Sequence, residues 1–82
     1  MDGRPVALAP KEFDLLAFLM RQAGRVRSRE EILAAVWGDD AYLDERTVDV
    51  QINRLRRKVE SDPANPLWLQ TVRGIGYRLN VD

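Results

Sequence analysis

The spacing of four aliphatic residues in the segment RTVDVQINRLRRKVE, residues 46–60, constrains the fold more than any other feature. At about 100° per residue, their side chains fall within about 60° of one another around a helix. They are Val48, Ile52, Leu55 and Val59. Such a narrow apolar stripe predicts a helix with one buried edge and a broad outward surface. That surface is basic, because residues 46–58 contain Arg46, Arg54, Arg56, Arg57 and Lys58 against Asp49 alone.

Length and composition predict one small globular domain rather than a membrane-bound or disordered chain. The chain has 82 residues, a formal net charge of zero, 45% hydrophobic residues and 32% charged residues. A chain of this length suits a single core. It lacks the run of about 20 apolar residues that crosses a bilayer, and its N-terminus lacks the features of a signal peptide. We therefore expect a cytoplasmic protein that does not bind membranes.

Histidine and cysteine are absent, which argues against several kinds of chemical site. Their absence excludes thiolate metal sites, cysteine nucleophiles and imidazole acid–base catalysis. An acidic segment is present, but its spacing does not match a calcium loop; it contains Asp39, Asp40, Asp44 and Glu45. The sequence therefore predicts no catalytic residues, no metal site, no cofactor and no enzymatic activity.

Two further segments carry helix signals before the basic helix. The segment PKEFDLLAFLMRQAG starts with Pro10, which suits a first helical turn, and ends at a glycine. Its apolar residues between Phe13 and Met20 cover most of the circumference, which predicts a central helix packed on several sides. The segment SREEILAAVWG has Ser28 and Glu31 at the spacing of a capping box and also ends at a glycine.

The C-terminal segment LWLQTVRGIGYRLNV predicts a β-hairpin. Apolar and polar residues alternate around Gly74 and Gly76, and the geometry of a tight turn explains both glycines. The turn is expected to need positive φ at one of the two. The two prolines of DPANP separate this hairpin from the basic helix. Three helices followed by a hairpin make an α+β domain.

The outward surface of the basic helix has the size and chemistry of a DNA-reading surface. Residues on successive turns, about 5.4 Å apart, form a ladder that fits the ~12 Å major groove. The ladder contains Arg46, Val50, Asn53 or Arg54, and Arg57. Arginine suits guanine or phosphate, and asparagine suits adenine. A solvated charged face is the competing interpretation, but Arg73 and Arg78 in the following hairpin favour nucleic-acid binding.

Six motifs, in this order, resemble the OmpR/PhoB-type winged helix-turn-helix domain: KEFDLL, SREEIL, VWG, RTVDVQINRLRRKVE, DPANP and TVRGIGYRL. The resemblance covers almost the whole chain from Leu8 onward, and several motifs at family spacing make it specific. It implies three helices with a C-terminal hairpin wing. It also implies the DNA-binding effector domain of a two-component response regulator, which ends a phosphorelay and controls transcription at tandem promoter half-sites.

The resemblance and the ladder together assign roles to individual residues. Helix 46–60 would enter the major groove, and wing 68–80 would reach a minor groove through Arg73. Base contacts would come from Val50, Asn53, Arg54 and Arg57. Contacts with the DNA backbone would come from Trp37, Arg46, Thr47, Gln51, Arg56 and Thr71. By the same resemblance, the acidic segment containing Asp39, Asp40, Asp44 and Glu45 would contact RNA polymerase.

Three features depart from the family pattern. Ala9 stands where a threonine cap is common, which weakens the start of the first helix by about 1 kcal/mol. Gln51 replaces a frequent histidine and removes pH sensitivity there. From the resemblance we expect the family's N-terminal sheet to be reduced to RPVAL, a remnant strand, with no receiver domain before it. We therefore expect residues 1–82 to form a single, shortened effector domain.

The sequence leaves two points open: the partner of the basic face and the arrangement of the N-terminal segment. A winged-helix module whose basic face binds an acidic protein partner is the alternative function. The remnant strand and the apolar first helix also predict self-association, with homodimers formed by strand addition or exchange. In the competing interpretation, RPVAL folds back over the first helix as a short cover.

Overall fold

A computed structural model of the chain describes residues 7–38 and 43–80. Within these ranges the chain forms three helices and one three-stranded antiparallel sheet, so the predicted α+β class is confirmed. In chain order the elements are α1 Pro10–Arg21, β1 Arg27–Ser28, α2 Arg29–Trp37, α3 Glu45–Val59, β2 Leu69–Val72 and β3 Gly76–Leu79.

Helix α1 begins without a side-chain cap, as expected from Ala9. The backbone N–H of Ala9 instead donates to Glu12 Oε1 at 2.8 Å, which satisfies one donor at the helix start. Leu15 and Leu19 are buried, but Phe13 is 61% exposed and Met20 is 56% exposed. These two residues lie seven positions apart on one edge of α1. The prediction that α1 packs on several sides is therefore wrong for this edge.

A partly buried ion pair ties α1 to α3. Lys58 Nζ donates to Glu12 Oε1 at 2.6 Å, and the Glu12 side chain is only 5% exposed. The hydrogen bond from Lys58, together with that from the Ala9 backbone, holds the pKa of Glu12 below its ordinary value. Glu12 therefore stays ionised, and its charge is balanced where it is buried.

Helix α2 has the predicted start and end. The Glu31 N–H donates to Ser28 Oγ at 3.0 Å, and the Ser28 N–H donates to Glu31 Oε1 at 3.0 Å, which confirms the capping box. Gly38 ends the helix with a positive φ of 70°, a conformation that favours glycine. Ile32 and Val36 are buried in the core.

Helix α3 spans Glu45–Val59, so each of its ends lies one residue earlier than in the predicted segment 46–60. Its first turn is capped by Asp44, whose side chain accepts from the Arg46 N–H at 3.0 Å, so Glu45 is already helical. Glu60 is extended and follows the last helical residue. The predicted apolar stripe forms the centre of the core, with Val48, Ile52 and Leu55 at 0% exposure and Val59 at 9%.

The sheet has the order β1-β3-β2, with both pairs antiparallel. Strands β2 and β3 form the predicted wing, and their turn is closed by the Ile75 N–H, which donates to the Val72 carbonyl at 3.0 Å. Gly74 has the positive φ that this turn requires, at 78°, whereas Gly76 does not. The prediction of positive φ at one of the two glycines is therefore confirmed, whereas the prediction that turn geometry explains both is wrong for Gly76.

Strand β1 is a third strand that was not expected from the sequence. It pairs with β3 at two positions, Arg27↔Tyr77 and Ser28↔Gly76. The strand predicted at RPVAL falls mostly outside the described residues; Ala7 and Leu8, which are described, are not in a strand. Within residues 7–38 and 43–80, no helix is long and apolar enough to cross a membrane.

Candidate nucleic-acid interface

The outward surface of α3 collects most of the predicted DNA-contacting residues. Five side chains are exposed along it: Arg46, Val50, Asn53, Arg54 and Arg57. An open depression on this surface is lined by Asp44, Arg46, Thr47, Val50, Gln51 and Arg54. Val50 is 47% exposed although it is aliphatic. The structure therefore places the four predicted base-contacting residues and three of the predicted backbone-contacting residues, Arg46, Thr47 and Gln51, on one accessible face.

Arg46 remains available for an external anion. Its Nε lies 3.8 Å from Asp44 Oδ2, and both side chains are largely exposed, at 88% and 65%. An exposed pair at this distance is weak and is screened by salt. A phosphate can therefore compete with Asp44 for Arg46.

Arg56 is placed differently from the other predicted backbone contacts. Its Nε and Nη2 donate to the Leu69 carbonyl at 3.0 and 2.8 Å, and Nη2 also donates to Thr71 Oγ1 at 2.7 Å. A longer bond of 3.4 Å joins Nη1 to Asn53 Oδ1. Arg56 therefore connects α3 to β2, and two of its three nitrogens face the wing rather than solvent.

A second group of contacts surrounds Tyr77. Asp49 Oδ1 accepts from Arg29 Nε at 2.7 Å and from the Tyr77 hydroxyl. The guanidinium carbons of Arg29 and Arg56 lie 5.4 and 5.6 Å from the centroid of the Tyr77 ring, within cation–π range. We call these four residues the tyrosine latch: Arg29, Asp49, Arg56 and Tyr77.

The latch shifts the pKa values of Asp49 and Tyr77 in opposite directions. Burial raises the pKa of Asp49, but the hydrogen bonds from Tyr77 and Arg29 outweigh burial and leave that pKa below its ordinary value. Burial, and then the bond to Asp49, raise the pKa of Tyr77. The tyrosine hydroxyl therefore remains a donor and Asp49 remains a charged acceptor near neutral pH.

The remaining predicted contacts lie at the edges of this surface. Arg73 is exposed at the tip of the wing, and Thr71 is exposed on β2, where its hydroxyl accepts from Arg56. Trp37 is half-buried at the end of α2 and packs against the core. Asp44 and Glu45 are exposed at the start of α3, whereas Asp39 and Asp40 lie outside the described residues. The described part of the chain contains no cluster of side chains suited to a metal ion.

Residues 3–79 match the sequence model of the family described as "Transcriptional regulatory protein, C terminal". The chain belongs to this family of OmpR/PhoB-type effector domains. The family consists of transcriptional regulators and is not a catalytic family. Its winged helix-turn-helix fold matches the three helices and the hairpin wing described above.

Relatives of this OmpR/PhoB-type domain include proteins about three times as long. The sensory transduction protein RegX3 of Mycolicibacterium smegmatis is 53% identical over 79 residues, which are 96% of this chain and 35% of RegX3. The alkaline phosphatase synthesis transcriptional regulatory protein SphR of Synechococcus elongatus is 51% identical over 96% of this chain and 31% of SphR. The chain therefore spans about a third of the length of these relatives.

Solved structures of OmpR/PhoB-type proteins share the fold. The response regulator DrrB of Thermotoga maritima has a TM-score of 0.88 and 36% identity over 99% of this chain and 36% of DrrB. The DNA-binding domain of Klebsiella pneumoniae RstA, solved in complex with the RstA box, has a TM-score of 0.83 and 37% identity. That match covers 95% of this chain and 77% of the RstA domain.

Proposed function

We propose that the chain binds double-stranded DNA sequence-specifically and regulates transcription as the effector domain of a two-component response regulator. The observation that carries this proposal is the division of α3 into two faces. The apolar stripe is buried in the core, while Arg46, Val50 and Arg54 line the open depression on the outward side. Membership of a family of transcriptional regulators supports the proposal, as does the similarity to RstA, which was solved on its DNA box.

The dimensions of α3 suit a major groove. Its 15 residues give a length of about 22 Å, and a helix with side chains is about 10–12 Å wide, close to the ~12 Å width of the groove. The wing tip carries the exposed Arg73. A minor groove attracts such a cation where A·T-rich sequence narrows the groove and deepens its negative potential.

The proposal divides the contacts by the position of each side chain. Base contacts are assigned to the outward residues Val50, Asn53, Arg54 and Arg57. Backbone contacts are assigned to Trp37, Arg46, Thr47, Gln51 and Thr71, and the minor-groove contact to Arg73. The role of Arg56 differs from the backbone contact predicted from the sequence, because its Nε and Nη2 are bonded to β2. We assign it to holding the wing and leave only Nη1 for a phosphate.

Arg54→Ala is expected to weaken binding to the preferred duplex by about 1–3 kcal/mol and to relax the preference at one base pair. The reason is that a guanidinium reading a base edge contributes to discrimination as well as to affinity. The preferred duplex is first selected from a random pool with the unmodified chain. Titrations of the preferred and a random duplex at one fixed salt concentration then measure both effects.

Two other arginines serve as controls for Arg54. Arg46→Ala removes a backbone contact, so it should weaken both duplexes alike and reduce the slope of log affinity against log salt by about 0.9. Arg21→Ala removes an equal charge from the exposed last turn of α1 and should change neither slope nor preference. Equal losses of Arg54→Ala on both duplexes would contradict the assignment. A flat salt dependence of the unmodified chain would instead favour an acidic protein partner.

The proposal includes partners besides DNA. Tandem promoter half-sites would bring two copies of the chain side by side. The contact with RNA polymerase is assigned to the acidic segment containing Asp39, Asp40, Asp44 and Glu45. The exposure of Asp44 and Glu45 supports this assignment. The proposal also places the chain in the cytoplasm, where bacterial promoters lie.

We further propose that the exposed edge of α1 mediates self-association in the absence of DNA. Phe13 and Met20 form an apolar edge on α1, and exposed apolar surface favours association. Sedimentation over a hundredfold concentration range should show a dimer that Phe13→Glu abolishes. Leu67→Glu changes an apolar side chain that is 64% exposed but lies outside α1, so this variant should leave the dimer intact. A monomer at every concentration would contradict this proposal.

A further inference from the structure

Strand pairing alone gives the wing a limited attachment to the rest of the domain. Strands β2 and β3 pair at four positions with each other, but β1 pairs with β3 at only two. A two-stranded hairpin without further packing is at best marginally stable in water. The position of the wing relative to α3 therefore also depends on side chains. Leu69 and Leu79 pack in the core, Glu60 binds the backbone before β2, and the tyrosine latch supplies the polar contacts nearest the wing tip.

The latch connects α3 to both strands of the wing. Asp49 and Arg56 lie seven residues apart, two turns along the same face of α3. Arg56 bonds to Leu69 and Thr71 on β2, and Asp49 bonds to Tyr77 on β3. Thr71 and Tyr77 are direct partners in the ladder between the strands. Two residues of α3 thus bond to paired residues on the two strands of the wing.

Tyr77 lies at the centre of this arrangement. It is 5% exposed, so DNA has little access to it, and both latch guanidinium groups lie near its ring. Arg29, the first residue of α2, also bonds to Asp49, so the latch joins the wing to two helices. The exposed residues at the wing tip, including Arg73, lie beyond the latch on the same hairpin.

We propose that Tyr77 is a positioning residue for DNA binding, which fixes the wing tip relative to α3 so that Arg73 and the α3 ladder contact one duplex together. This inference rests on the proposed function. Two contact surfaces held at the correct separation bind with a high effective concentration and lose little conformational freedom on binding. A wing free to move would lose part of that advantage, although every DNA-contacting residue would remain.

The test is a double-mutant cycle with Tyr77→Phe and Arg73→Ala on the selected duplex at one salt concentration. Tyr77→Phe keeps the ring beside both guanidinium groups and removes only the hydroxyl that donates to Asp49. It should weaken binding by about five- to tenfold, because a wing that is less restrained before binding loses more conformational freedom when it binds. In the Arg73→Ala background the same change should cost less than about twofold, because the residue being positioned is gone.

The cycle separates positioning from a merely structural role. Equal losses in both backgrounds would overturn the inference, since Tyr77 would then act on α3 or on overall folding. No loss in the unmodified background, or no effect of Arg73→Ala itself, would also overturn it. Should Tyr77→Phe fail to fold, Asp49→Ala removes the acceptor of the same bond, together with that of the bond from Arg29, and is judged by the same cycle. Failure of the proposed function is distinct, because the unmodified chain would then select no duplex.

Discussion

Replacement of Gly76 by alanine is expected to lower the free energy of unfolding by about 3 kcal/mol or more. A Cβ at this position would overlap the carbonyl oxygen of Arg27 and lie 2.8 Å from the Cα of Ser28. Both are backbone atoms of β1, so no flexible side chain can move to make room. Strand β1 would have to separate from β3, and the wing would lose this attachment. Urea unfolding followed by circular dichroism measures the loss.

Gly74→Ala is the matched control for this prediction. Gly74 lies in the same hairpin and has a φ of 78°, but a Cβ there would meet nothing within 4 Å in the described structure. Its replacement therefore costs only the unfavourable backbone conformation, about 1–2 kcal/mol. If Gly74→Ala proved the more destabilising of the two, the close approach of β1 to β3 would not explain Gly76.

The helices were predictable because each carries its signals within a few residues. The stripe of α3 repeats at helical spacing, and the Ser28 and Glu31 capping box spans a single turn. Such local patterns specify both the helix and the face it buries. The exposed edge of α1 was not predictable in this way, because Phe13 and Met20 have the same apolar character as the buried Leu15 and Leu19.

Strand β1 and the role of Gly76 could not be predicted, because both depend on residues far apart in the sequence. Arg27 and Ser28 form a strand only by pairing with Tyr77 and Gly76, some fifty residues later. Two polar residues carry no alternating pattern of their own. The sequence showed two glycines near a turn, and only the structure separates the one needed for positive φ from the one needed for close approach.

The candidate site was predictable as a face but not as a set of contacts. Helical geometry placed Arg46, Val50 and Arg54 on the outward side of α3, where the structure also places them. The same geometry could not show that Arg56 bonds to the carbonyl of Leu69, thirteen residues later. It also missed Arg29, whose partner Asp49 lies twenty residues away. Arginines that hold a fold and arginines that bind a ligand look alike in sequence.

Replacement of Glu60 by alanine is expected to lower the free energy of unfolding by about 3 kcal/mol. Its carboxylate is buried and accepts three backbone N–H groups, from Leu67 at 2.8 Å, Trp68 at 2.9 Å and Leu69 at 2.7 Å. These bonds join the end of α3 to the start of β2. Alanine would leave the three donors without this acceptor. The bond from Leu69 is buried and the other two are partly buried, so water can replace part of the loss and the total stays near the upper end of the ~1–3 kcal/mol that one buried donor costs. Thermal and urea unfolding at neutral pH measure the change.

Two glutamine variants test whether acceptor chemistry, rather than side-chain volume, explains the effect of Glu60. Glu60→Gln preserves the shape but turns one acceptor oxygen into an NH₂ group facing N–H donors, so it should still cost about 1.5 kcal/mol or more. Glu30→Gln makes the same change on an exposed carboxylate in the first turn of α2 and should cost less than about 0.5 kcal/mol. If the two variants were equally stable, the bonds from Glu60 to residues 67–69 would not hold the wing to α3. A large loss at Glu60 alone would identify its carboxylate as the second attachment between α3 and the wing, beside the tyrosine latch.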